Sequence, residues 1–100
     1  MDKLEAIKML DHQMSELKRL PYATFERWQQ RRHVEVYDVA SATGKHYKIE
    51  VQAVLEDSNK VNDNIKVIAM IDDSHLHSLT KSFPMLRQFV IAPNNSIVSE

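Results

Sequence analysis

The sequence predicts an α+β fold: an N-terminal helix packed on a three- to four-stranded, mainly antiparallel sheet, with a short helix before the last strand. Two observations carry this. Apolar residues recur every three to four positions up to Pro21, and every two positions from about Val34 onward. The 100 residues are enough for one hydrophobic core and too few for two. There is no internal repeat, low-complexity tract or linker, so residues 1–100 are read as one domain. Its parts are a helix up to residue 20, a basic and aromatic junction over 21–33, and the sheet over 34–100.

The first helix is expected over 2–20. Asp2 suits the N-cap, and Lys18 and Arg19 suit the negative end of the helix dipole. Leu4, Ile7, Leu10, Met14, Leu17 and Leu20 form one apolar stripe. Pro21 ends the pattern. The spacing is heptad-like over only about two heptads, too short for a coiled coil. The stripe therefore points to packing on a sheet, with pairing to a partner helix as the alternative.

Within the junction, Thr24 is a candidate cap for a short helix carrying Phe25 and Trp28, with Arg27, Arg31 and Arg32 around them. Residues 34–39 read as a strand with apolar residues on both faces: Val34 and Val36 on one, Tyr37 and Val39 on the other. A bulge or burial on both sides would account for that pattern. Gly44 marks a turn over 41–45 that needs positive φ.

The clearest strand runs over 46–56. Tyr47, Ile49, Val51, Ala53 and Leu55 alternate with a mainly polar face. A polar loop follows to Asn64. Residues 65–72 form a strand whose Ile65, Val67, Ala69 and Ile71 face one way while Ile68 and Met70 face the other, the mark of a central strand or of one partly covered on its second face. Asp73 or Ser74 is placed to cap a short helix with Leu76, Leu79 and Phe83 on one side, ended by Pro84. Residues 89–92 give a last strand, and Ile97-Val98 a further short pairing.

Composition removes several classes of chemistry. There is no cysteine, so disulfides, thiolate nucleophiles and Cys-ligated metals are ruled out. Gly44 is the sole glycine, and neither a phosphate-cradling loop nor a serine nucleophile elbow can be drawn around it. The N-terminus alternates charge with hydrophobe, unlike a signal peptide, and the run Val67–Ile71 is too short to span a bilayer. The expectation is a cytoplasmic protein without a membrane segment and without a cofactor.

Three clusters remain as candidate sites. Asp72, Asp73, His75 and His77 combine carboxylates with an H-x-H pair, the donors of a metal or acid–base site. In a strand the two histidines would share a face; in the expected helix they lie about 200° apart. The loop 57–64 is rich in Asp and Asn, but Val61, Asn62 and Ile68 stand where a calcium loop needs an oxygen ligand, a glycine and the closing Glu. The five histidines, His12, His33, His46, His75 and His77, show no catalytic signature.

The third cluster runs from Lys18 to His33. It carries Lys18, Arg19, Arg27, Arg31 and Arg32 against one acid, Glu26, with Tyr22, Phe25 and Trp28 interleaved, in a chain whose net charge is −1. Arginine and tryptophan are the residue types of protein-contact hot spots. The same types also hold phosphates and stack on bases. In the plain alternative, Phe25 and Trp28 anchor the core and the arginines form a solvated face.

The expected function is a non-catalytic protein-interaction domain (adaptor, inhibitor or regulatory subunit) that binds its partner through Arg27, Trp28, Arg31 and Arg32. Self-association is a second form of the same reading, through the helix 2–20 or a sheet edge. The alternatives are nucleic-acid binding through 18–33, and a small metal-dependent enzyme using Asp72, Asp73, His75 and His77.

Overall fold

The computed structural model describes residues 2–57, 62–73 and 85–100, in the order α1 (Lys3–Leu17), α2 (Tyr22–Arg31), β1 (Val34–Ala40), β2 (His46–Leu55), β3 (Ile65–Asp73), β4 (Met85–Ile91) and β5 (Ile97–Ser99). The architecture is α+β, as the period change predicts, with more strands than expected. The five strands form one antiparallel meander in the order β1-β2-β3-β4-β5. The short helix expected over 74–83 lies outside the described residues.

Asp2 caps α1 as expected, its Oδ1 accepting from the Glu5 N–H at 3.2 Å. The helix stops at Leu17, short of residue 20. Arg19 and Leu20 donate instead to the carbonyls of Glu16 and Leu17, three residues back, tightening the end before Pro21. The buried stripe is Ala6, Leu10, Met14 and Leu17. Leu4 does not belong to it: this side chain is 74% exposed, because it sits on the far side of the helix from Ala6 and Leu10.

α2 begins two residues before Thr24, which therefore lies inside the helix and is not its cap. Pro21 precedes it, and no side chain of its own caps it. The Tyr22 N–H donates to Asn95 Oδ1, 2.8 Å away in the β4–β5 turn. The Tyr22 hydroxyl donates to the Asp63 carbonyl at 2.7 Å. A helix of ten residues is marginal in isolation. Here it is held at its first turn by two distant loops and along its length by Phe25, which is fully buried.

Both helices cover one face of the sheet. The core comprises Ala6, Leu10, Met14, Leu17 and Phe25 above, with Tyr47, Ile49, Val51, Ile65, Val67, Ala69, Ile71, Phe89 and Ile91 below. The expected faces of β2 and β3 are observed, and β3 is the central strand. β4 starts at Met85, earlier than residue 89. Its helix-facing row is Met85, Arg87, Phe89 and Ile91. Arg87 interrupts the apolar alternation in the sequence, and in the fold it reaches Asp11 of α1 at 3.3 Å.

Two hairpins close in the same way. Ser41 N–H donates to Lys45 O with Gly44 at φ +83°, and Ala92 N–H donates to Ser96 O with Asn95 at φ +73°. Each is a three-residue loop whose last position is left-handed, filled once by glycine and once by asparagine.

Tyr47 is the largest fully buried side chain among the described residues, and its hydroxyl makes no well-formed hydrogen bond there. Burial, and then the Glu5 carboxylate, push its pKa above the ordinary 10.0; the Asp2 backbone alone comes near enough to lower it, by less than burial raises it. A raised folded-state value means that the native protein holds this proton where the unfolded chain has released it. Stability from this group is therefore present below pH 10 and lost as pH rises beyond it. Tyr47→Phe is expected to stabilise the fold by roughly 1 kcal/mol at neutral pH and to blunt the alkaline loss. Urea denaturation at pH 7 and above pH 10 measures both; a less stable Phe variant at both values would contradict the assignment.

Candidate functional site

The end of α2 gathers the predicted contact residues. Arg27, Trp28 and Arg31 lie on neighbouring positions of the helix surface, separated by one and three residues. Arg32 then leaves the helix at φ 52°, ψ 38°, the left-handed region. Its N–H bonds back to Gln29 O, and the His33 N–H to Trp28 O at 2.9 Å. These two bonds form a Schellman closure, which places the residue after the left-handed position against the helix residue five before it. Accordingly the rings of His33 and Trp28 lie 5.6 Å apart. Trp28 also meets Phe25 edge-on at 5.4 Å, and Phe25 meets Phe89 at 5.8 Å. One aromatic chain thus runs from the sheet to the surface.

Arg27, Trp28, Arg31, Arg32, His33 and Val34 line one open recess of about 410 Å³. The arginines are exposed and Trp28 is half-buried. Among the described residues none of the three guanidinium groups makes an ion pair or a side-chain hydrogen bond. Some other cations are engaged: Lys18 pairs with Glu100, Arg19 with Glu16 and Arg87 with Asp11. The recess is therefore a fixed apolar floor under three unpaired planar cations. It offers carboxylates or phosphates bidentate hydrogen bonds and offers apolar side chains the Trp28 edge.

The other sequence candidates are not assembled in this way. Asp72 and Asp73 follow one another in β3 and so project from opposite faces of the sheet. Asp72 lies opposite Lys48 and Asp73 opposite Tyr47. His75 and His77 lie outside the described residues. Among the described residues no three His, Asp or Glu side chains are grouped to hold a metal. Of the loop 57–64, the described amides are turned to other uses: Asn62 and Asn64 donate to Glu56, and the Asn64 N–H donates to Asn62 Oδ1. No helix among the described residues is long and apolar enough to cross a membrane.

β1 is the element that residue-by-residue reading did not mark. Its double-faced pattern suggested a bulge or burial on both sides, and the structure shows neither. The register against β2 is continuous from Val34 to Ala40. β1 is an edge strand, with Val34 and Val36 exposed on the open face and Tyr37 and Val39 half-buried on the helix face. The sequence pattern identifies β1 as a strand and not its place in the sheet, because periodicity carries no strand order.

A scan against protein-family models, a search of curated proteins and a search of solved structures returned no significant match, so the reading of this surface rests on its own geometry.

Proposed function

We propose that this chain is a non-catalytic protein-interaction domain that grips an acidic segment of a partner with Arg27, Arg31 and Arg32 over Trp28. The observation that carries the reading is Arg32. An ordinary L-residue in the left-handed region costs roughly 1 kcal/mol relative to glycine, the residue that usually ends a helix there. Arg32 holds that position with an exposed, unpaired guanidinium, as a side chain serving a contact outside the chain would. Self-association belongs to the same reading as one kind of protein contact. The helix route is the weaker one, because the apolar stripe of α1 is already spent on the sheet.

Arg32→Gly separates the functional account from a solvated face. It is expected to raise the thermal midpoint while weakening capture of a nuclease-resistant protein partner from the native lysate. The triple change of Arg27, Arg31 and Arg32 to Ala is expected to reduce that capture at least tenfold, since hot-spot truncations commonly exceed about 1.4 kcal/mol. Capture unchanged in both variants would overturn the proposal. Capture that vanishes with nuclease and falls steeply with salt would transfer the same arginines to nucleic acid.

A further inference from the structure

β1 carries on its free edge the means to bind another strand. The bond from Ser41 N–H to Lys45 O, at 2.8 Å, makes that pair a hydrogen-bonded one. Antiparallel pairs alternate, so with the unbroken register the bonded pairs are Val39 with Tyr47, Tyr37 with Ile49 and Glu35 with Val51. The N–H and C=O groups of Val34, Val36, Asp38 and Ala40 therefore point outward along one regular edge. Edge strands are normally blunted by shortness, proline, bulges or lysine. β5, at the other edge, has three residues and a register shift beside it. β1 has seven residues, no register shift and no proline, and its only charges are Glu35 and Asp38, one on each face.

Its side chains point the same way. Val36 is 46% exposed on the open face, although three of its strand-mates are valine or tyrosine. On the helix side, β2 and β3 are covered by buried residues while Tyr37 and Val39 stay half-exposed. Beside Val39 and Ala40 a shallow groove opens under Met9, His12 and Gln13 of α1. Among the described residues the helix layer stops short of this edge, leaving Val34 and Val36 beside Asp38 on one face and Tyr37 and Val39 beside Glu35 on the other.

We propose that β1 pairs antiparallel with β1 of a second copy about a two-fold axis at Val36, joining the two sheets into one. This rests on the reading that the chain works by protein contact, and names one such contact. Charge selects the occupant. Each strand begins after Arg31, Arg32 and His33, has Glu35 at 3.3 Å from His33, and carries Asp38 towards its far end, so the cationic end keeps the two arginines in excess. Antiparallel pairing of two copies sets the basic end of each beside Asp38 of the other, while parallel pairing would align like charges. The faces also agree. A two-fold axis through the sheet matches residues of the same face, so Val36 meets its own copy, Asp38 meets Val34 beside the other chain's His33, and the outward groups of both strands meet in register.

Sedimentation velocity on the full chain tests this. At about 50 µM, enough to populate a complex of micromolar affinity, the expected species has twice the 11.6 kDa chain mass. Val36→Pro removes one outward donor without touching the ladder to β2, and is expected to weaken the dimer at least tenfold. Val36→Lys, which adds like charges across the axis, is expected to do the same, and it decides the matter should the proline variant fail to fold by circular dichroism. The natural chain has no cysteine, so single-cysteine variants report proximity cleanly. Val36→Cys is expected to cross-link with a short bismaleimide, whereas Val54→Cys, comparably exposed but on β2, is not. A monomer at that concentration, a dimer indifferent to both Val36 changes, or cross-linking at Val54 and not Val36 would each overturn edge pairing. A monomer that still captures a protein partner through Arg27, Arg31 and Arg32 would overturn the pairing alone and leave the proposed function standing.

Discussion

Phe25→Ala is expected to cost about 3–5 kcal/mol of folding free energy, the range for a buried aromatic truncated in a packed core. Phe25 is fully buried and joins Phe89 of β4 to Trp28, with edge-on ring contacts at 5.8 and 5.4 Å. Removing it takes away the burial of a large ring and two ring pairs, and it opens a cavity between α2 and the sheet. Domains of this size hold only about 5–15 kcal/mol in all. The variant is therefore expected to lose much of its stability and to release α2 before the strands. Denaturant titration followed by the fluorescence of Trp28, the sole tryptophan, measures the first effect. Amide hydrogen exchange over Tyr22–Arg31 measures the second. A loss under 1 kcal/mol would show that Phe25 does not hold α2 on the sheet.

Asn95→Ala is expected to cost about 2 kcal/mol, from two sources that further substitutions separate. Asn95 sits at φ +73°, where alanine is strained by roughly 1 kcal/mol. Its Oδ1 is also the acceptor for the Tyr22 N–H at 2.8 Å, a helix cap supplied from the opposite end of the sequence and worth about 1 kcal/mol. Asn95→Gly relieves the strain and keeps only the loss of the cap, so about half the cost should remain. Asn95→Asp keeps an acceptor oxygen, now charged, beside the positive end of the helix dipole, and should cost little. Equal stability of the Ala and Gly variants would remove the strain contribution; a Gly variant as stable as the parent would remove the cap.

The same residue shows where sequence reading stopped. Thr24 was the expected cap because capping by a neighbour is a local rule, and Thr24 precedes an apolar helical pattern. The actual acceptor is 73 residues from Tyr22 in sequence, and no local pattern announces it. Arg87 is a second instance: its charge broke the alternation that would have started β4 at Met85, and only the nearness of Asp11 explains a cation on the helix-facing row. The candidate surface divides likewise. Arg27, Trp28, Arg31 and Arg32 were legible as a residue type and a cluster. Their convergence on one recess depended on the left-handed turn at Arg32, a conformation that its residue type does not favour.

Periodicity by itself determined the class of this protein, a first helix that includes residues 3–17, and the inward faces of β2 and β3. Each follows from side chains alternating at a period that the backbone geometry dictates, so that burial can be read one residue at a time. Tertiary structure alone decided the rest: five strands in sequential order, the cap that Asn95 lends to α2, and the place of β1 at the edge. The physical reason is that an apolar residue records that it leaves water, not which element covers it. For β1 the pattern calls for cover on both faces, and among the described residues the helix layer and the sheet end before they can provide it.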